Sequence, residues 1–322
     1  ESYKVIIDTD AGLDDLRMIT LYLSTVNQDP TAIITSSGIL SSDDARNIVS
    51  VLMNTLETDH IPIIQGVKRK RDFDYCNISN RIATLGENNE TIQESADLIE
   101  FMRKNIMDSG EEFVYLCLGP LTNLAKIIRF EESIQSRIHR VIWYNDSFNP
   151  ITGLNYESDK KAADFILSSG LRIDVISDLD KKEMIFSADL LDIQDNPQSI
   201  YYKALKNIQA IPGEEINSTH YCFHISDELC LLYYLDPSIF DMNINISSPN
   251  VRFTENYDPE IVLHVLEDVI RGKFSKEKYT SLSRFPAHEE WYRYDVRRII
   301  DPVIEKYGMN EFMAIVLTNE IH

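Results

Sequence analysis

The densest chemistry in the sequence lies near its start. Asp8-Thr9-Asp10-Ala11-Gly12-Leu13-Asp14-Asp15 places four aspartates in eight residues, directly after the apolar run Tyr3 to Ile7. Carboxylates this close repel one another unless a positive charge sits among them. The stretch holds neither His nor Cys. Its donors are therefore oxygens, which suit a hard cation such as calcium or magnesium. Gly12 is expected to permit the turn that aims Asp10 and Asp15 at one point. Asp14 and Asp15 are expected to open a helix whose N-terminal dipole favours negative charge. A helix cap would need one aspartate, not four. An EF-hand loop fails because the twelfth residue from Asp8 is Ile19, where a bidentate Glu is required.

Such a loop has to be held by a rigid frame. Short apolar runs alternate with amphipathic stretches through the first half of the chain, the pattern of βαβ units and a parallel sheet. Strands are expected at 3–7, 32–35, 61–64, 113–118, 141–143 and 173–176, with helices at 14–26, 43–56, 92–107, 121–130 and 159–167. The fold class is thus α/β, an open, doubly wound, mostly parallel sheet flanked by helices. In such sheets ligands bind beyond the carboxyl ends of the strands, where the acidic loop, Gly38, Gly66, Gly119-Pro120 and the stretch 145–155 all fall. Residues 178–222 read as less regular, and from Asp258 onward the pattern is mainly helical. One domain is expected over residues 1–322. The apolar run 312–317, close to the last residue, reads as a chain that continues further.

Composition narrows the partners. The chain has 322 residues, 43% of them hydrophobic and 10% aromatic, with a net charge of −21 from 31 basic and 52 acidic residues. That charge repels nucleic-acid polymers and anionic membranes and attracts cations. The basic island Lys68-Arg69-Lys70-Arg71 reads as a solvated loop. No apolar run approaches the roughly 18 residues of a membrane span. The opening Glu1-Ser2-Tyr3-Lys4 has no signal-like stretch and suggests a trimmed or processed chain. Cys76, Cys117, Cys222 and Cys230 match no zinc spacing and read as buried thiols. A cytoplasmic location is expected, with secretion or a periplasmic location left open, since the five Asn-x-Ser/Thr sequons carry no compartment by themselves.

The loop resembles the opening Asp-x-Asp-x-Gly-x-Asp-Asp of the nucleoside hydrolase family, in particular its inosine-uridine preferring type, and three later segments are similar in matching order over roughly residues 3 to 240. These are Leu118-Gly119-Pro120-Leu121-Thr122-Asn123, Asn155 with Asp159 and Ala162-Ala163, and Asp227-Glu228-Leu229-Cys230 leading to Leu235-Asp236-Pro237. The resemblance implies Ca2+ held by Asp10, Asp15, Asp227 and the Leu118 carbonyl, with Asp10 also the general base. It implies Asp14 and Asn155 on the sugar of a small ribonucleoside, and a homo-oligomer, dimer or tetramer. Asp8 is expected to orient the loop by accepting backbone hydrogen bonds. The chain departs from the family in its substrate half. Ile39 stands where Asn follows the glycine, Gly153 replaces a Glu, Ser226 replaces the His before the last calcium Asp, and the His-Gly loop has no counterpart around 74–86. The proton donor to the departing base is then sought in His224, with Tyr221, Trp143, Tyr144 and Asn149 as candidates to line the base pocket. The resulting expectation is a calcium-dependent N-ribosyl hydrolase. The alternatives are a calcium- and ribose-binding homologue without catalysis, or a metal-dependent phosphohydrolase of the haloacid dehalogenase type, with Asp8 as nucleophile and Asp10 as acid/base. That last pattern has Thr or Val where Gly12 stands.

Overall fold

The structure is a computed structural model that describes residues 3–69, 97–187, 199–209 and 222–280. The segment 74–86, Tyr221, the first residues of the helix expected at 92–107 and residues 281–322 lie outside the described residues. The strands are β1 (Lys4–Thr9), β2 (Ala32–Thr35), β3 (Ile63–Gln65), β4 (Phe113–Cys117), β5 (Ile138–Tyr144), β6 (Ser147–Phe148), β7 (Ile151–Thr152), β8 (Ile173–Ile176), β9 (Ile185–Ser187), β10 (Cys222–His224), β11 (Phe240–Ile244) and β12 (Val251–Tyr257). Eight of them form one sheet in the order β11-β12-β8-β5-β4-β1-β2-β3. Every neighbouring pair is parallel except β11 with β12. β6 pairs with β7 and β9 with β10 in two small antiparallel ribbons.

The chain winds outward from β1 in both directions, so the order reverses between β1 and β4. That is the switch point where a crevice opens beyond the strand ends. The acidic loop leaves β1 there. Pleating sends alternate side chains to opposite faces. Val5 and Ile7 pack with Leu116, Ile142 and Tyr144 against helices Leu13–Thr25, Glu228–Leu235 and Pro259–Ile270. Ile6, Tyr115, Cys117 and Trp143 pack on the other face against helices Thr122–Phe130 and Lys160–Leu167. Each fully buried aliphatic side chain contributes roughly 1.5–3 kcal/mol. That exceeds the span of about 1 kcal/mol in strand propensity, so burial fixes which face each residue takes.

The helices Leu13–Thr25, Ser42–Thr55, Thr122–Phe130 and Lys160–Leu167 fall within a residue of expectation. Strands β11 and β12 were not anticipated. The apolar run of β12 is interrupted by Arg252, which is buried and pairs with Asp174 of β8 at 2.7 Å, while Asp174 also binds Arg140 of β5 at 3.1 Å. A charge inside a strand hides it from hydrophobic patterning, although its partner is supplied across the sheet. Past Asp258, helices Pro259–Ile270 and Lys276–Thr280 agree with the helical reading. Lys68 and Arg69 pair with Asp43 and Asp159, both at 2.9 Å, so that half of the basic island is committed to the chain's own carboxylates. No helix among the described residues is long and apolar enough to cross a membrane.

Candidate metal centre and active site

The loop after β1 is shaped by Thr9. Its hydroxyl donates to Asp15 Oδ1 and accepts from the Ala11 N–H at 3.0 Å. Ala11 takes the left-handed conformation, φ 60°, while Gly12 is extended at φ −61°. Gly12 therefore serves by its size rather than by its turn, correcting the sequence expectation. A Cβ there would lie 2.8 Å from Asp14 Oδ1 and 3.0 Å from Asp15 Oδ2. Gly38 acts in the same way toward Asp10. A Cβ at Gly38 would fall 1.9 Å from Asp10 Oδ2, and the neighbouring Ile39 N–H donates to that oxygen at 2.9 Å. The position where an Asn side chain was expected thus contributes its backbone.

Asp14, Asp15 and Asp227 come together, each offering a carboxylate oxygen within 4.8 Å of the others. Asp10 is not one of these three, but the Asp15 and Asp14 charges both bear on it. Asp227 precedes helix Glu228–Leu235, yet its side chain makes no capping bond. It is 2% exposed, and its Oδ1 has no hydrogen-bond partner. A buried unpaired carboxylate oxygen costs several kcal/mol if ionised and left alone. Burial pushes Asp15 up to about 7, helped by the Asp14 charge. Burial and then Asp15 raise Asp10 and Asp227 well above the ordinary carboxylate range. Three converging carboxylates and an orphaned oxygen are what a hard cation needs, so the residues present fit one.

Asp8 stands behind this cluster. Its carboxylate accepts from Tyr115 Oη at 2.5 Å and from Asn123 Nδ2 at 3.1 Å, and burial pushes it up to about 7. Its partners are side chains, not the backbone groups expected. Asn123 in turn accepts from the Val67 N–H at 2.8 Å, tying the ends of β1, β3 and β4 together. Wholly buried and so bonded, Asp8 cannot attack a phosphoryl group, and the phosphohydrolase alternative falls.

The remaining expected residues divide. Leu118 and Asn155 are brought together, the Asn155 amide donating to the Leu118 carbonyl at 2.7 Å and to the Tyr144 carbonyl at 3.0 Å. Ser226 donates to Asp14 Oδ2 at 2.6 Å. His224, at the end of β10, binds Asp178 through Nε2 at 2.7 Å. Trp143 is a correction. Pleating turns it to the face opposite Tyr144, where it is wholly buried and its indole N–H donates to the Gly119 carbonyl at 3.1 Å, leaving no face for a base. Asn149 sits exposed at the turn between β6 and β7, and no hydrogen bond among the described residues joins it to the acidic cluster.

Two supports were missed from sequence. Arg17 and Glu228 form a wholly buried ion pair, and Arg17 Nη2 also donates to the His224 carbonyl at 3.3 Å, so helix Leu13–Thr25 anchors the segment carrying Asp227. An Arg inside the apolar run Leu16 to Leu21 was the available signal. Asp146 was the other. Its carboxylate fills the space beside Gly153, where φ is 130° and a Cβ would lie 2.6 Å from Asp146 Oδ2.

A largely buried acidic cluster that could hold a hard cation thus sits at the switch point of a doubly wound α/β sheet. The profile of the inosine-uridine preferring nucleoside hydrolases matches residues 5–276, and the chain belongs to that family. It is 27% identical over 188 residues to uridine nucleosidase 1 of Arabidopsis thaliana, covering 54% of this chain and 55% of that one. It is 23% identical over 247 residues to a pyrimidine-specific ribonucleoside hydrolase of Shewanella sp. (strain MR-4), covering 73% and 72%. The chain spans 55% to 64% of the length of the plant uridine nucleosidases it matches. A solved plant nucleoside hydrolase shares the fold, with a TM-score of 0.67 at 20% identity over 84% of this chain and 99% of that one.

Proposed function

We propose that this chain is a calcium-dependent N-ribosyl hydrolase, cleaving a ribonucleoside to free base and ribose. The observation that carries the reading is the cluster of half-buried Asp14 with buried Asp15 and Asp227, whose Asp227 Oδ1 is unpartnered, in a chain of this family. Asp15, Asp227, Asp10 and the Leu118 carbonyl would hold the cation. A calcium ion held there would offset the carboxylate repulsion and supply a positive charge that lowers the pKa of a nearby water. Asp10, steadied by the Ile39 N–H, takes the proton of the attacking water. Oxygen bonds to the anomeric carbon as the C–N bond breaks, and the base leaves with the electron pair. Asp14 accepts from a sugar hydroxyl through its remaining lone pairs, and Asn155 presents its carbonyl oxygen, since its amide hydrogens are occupied. Carboxylates around the sugar stabilise the positive charge that develops there. The names of the relatives make uridine the first substrate to test.

A second reading is a homologue that binds calcium and ribose without catalysis. The bond from Ser226 to Asp14 and the two carbonyl bonds of Asn155 favour it, because each occupies part of a group the sugar would use. A nucleoside panel assayed for free base and ribose, with and without chelator, separates the two. Release that is abolished by chelator, restored by calcium and lost in Asp10→Asn supports the hydrolase. Release unchanged in Asp10→Asn contradicts the mechanism, and calcium binding without release from any riboside supports the binder.

A further inference from the structure

We propose that Asp178 is the positioning residue that holds His224 at the strand rim as the proton donor to the departing base. The inference rests on the hydrolase reading and names the group that reading leaves open after the replacement by Ser226.

Asp178 follows β8 at the carboxyl rim of the sheet. Its side chain is 9% exposed, whereas that of His224 is 43% exposed. The bond between them thus fixes the imidazole on its buried side through Nε2 and leaves the ring's other edge open. Asp178 is itself locked. Its Oδ1 accepts from the Asp180 N–H at 3.0 Å, and its backbone carbonyl accepts from Tyr257 Oη. The turn that allows this holds Leu179 and Asp180 both in the left-handed region, φ 58° and 51°. Two consecutive non-glycine residues there cost of order 1–3 kcal/mol each, and such strain persists only where the surroundings impose it. The His224 end is equally fixed, by pairing with Ile185 and by the Arg17 bond to its carbonyl.

The charges facing the imidazole are Asp178 and Asp180 on this turn and Glu228 at the head of its helix, the last paired with Arg17. All three favour the imidazolium, and the Asp178 bond leads in raising its pKa. With Nε2–H committed to Asp178, the transferable proton is on Nδ1, a tautomer that only the partner carboxylate imposes. The pair borders the acidic cluster. His224 lies three residues before Asp227, and the charges of Asp178, Asp146, Asp227 and Asp14 all bear on the buried Tyr144 phenol. In the step itself, the nitrogen of the base takes the electron pair of the broken C–N bond and the Nδ1 proton. Bulk water returns a proton to the imidazole.

An exposed His-Asp pair is by default worth little. The test therefore uses a property that packing does not share. Calcium-loaded wild type, Asp178→Asn, Asp178→Glu and His224→Gln are compared on uridine and on 4-nitrophenyl β-D-ribofuranoside, whose leaving group departs without a proton. Asp178→Asn and His224→Gln are expected to lose about 100-fold or more in kcat on uridine. They should keep KM and the nitrophenyl riboside rate within about 3-fold, and Asp178→Glu should recover part of the uridine rate. Equal loss on both substrates, or full uridine activity in Asp178→Asn, overturns the assignment while leaving the hydrolase reading standing. Wild type that cleaves neither substrate removes both.

Discussion

The cluster after β1 and the rim formed by the ends of β5 and β8 treat polar groups in opposite ways. In the cluster, Asp15 and Asp227 are almost wholly buried, and an oxygen of Asp227 is left without a partner. Around the strand ends, three of the places where the chain departs from its family are met by another polar group. Asp146 occupies the space beside Gly153, Ser226 bonds Asp14, and the Ile39 backbone reaches Asp10. The first region stores an unmet demand for positive charge. The second has been rebuilt around different partners, not emptied. The acidic cluster therefore keeps the arrangement that the hydrolase reading needs, while the polar contacts around it differ from those expected of the family.

The contrast breaks most readily at Asp227. Asp227→Asn removes a charge from the cluster, so calcium affinity should fall by more than the roughly 10–100-fold typical of losing an outer partner of a ligand. Thermal stability in chelator should rise, because repulsion is relieved. Calorimetric titration with calcium and a melting curve in chelator check both. Unchanged affinity would dismiss the cage.

Acidity sharpens the same point. Unfolded, Asp8 and Asp15 titrate near 3.8; folded and metal-free, both are pushed up to about 7 by burial. The folded chain then holds more protons than the unfolded one between these values, so stability falls as pH rises through about 7 and is greatest on the acid side. Melting in chelator should drop by several degrees between about pH 5 and about pH 8. Saturating calcium should shrink the drop, since it replaces the proton at Asp15 while Asp8, which lies behind the cation's ligands, still titrates. A flat profile in chelator would mean that the cluster is already neutralised.

The regions also differ in how well they read from sequence. The four aspartates after an apolar strand and the alternating βαβ pattern were legible because each depends on local spacing, whereas Asp227 was reached only through the resemblance to the family. Strand β12 was not, since Arg252 interrupts its apolar pattern and its partner Asp174 is 78 residues away. Trp143 was assigned to the wrong face for want of a register, which a one-residue shift reverses. The Asp178 and His224 pair joins segments 46 residues apart, and no pattern in one chain announces it.

Gly153 tests whether the rim is truly rebuilt. Its φ of 130° is open to glycine and strained for other residues, and an added methyl meets the Asp146 carboxylate. Gly153→Ala should cost about 1–3 kcal/mol of stability, read as a lower Tm in calcium. Adding Asp146→Ala should recover only part, because it removes the clash and not the strain. Full recovery would place the whole cost in the contact and make Asp146 replaceable.

The smallest effect is expected at Asn149. It was a candidate for the base pocket, but it stands exposed at the turn of the β6 and β7 ribbon, and no hydrogen bond among the described residues joins it to the acidic cluster. Loss of an exposed side chain without a partner is usually within about 0.5 kcal/mol. Asn149→Ala should then change KM for uridine by less than about 2-fold. A rise of 10-fold or more would require roughly 1.4 kcal/mol of lost contact, which a solvent-facing hairpin tip supplies only if the ribbon folds down over the bound nucleoside. That result would move the base pocket from the Tyr144 side of the rim to the ribbon.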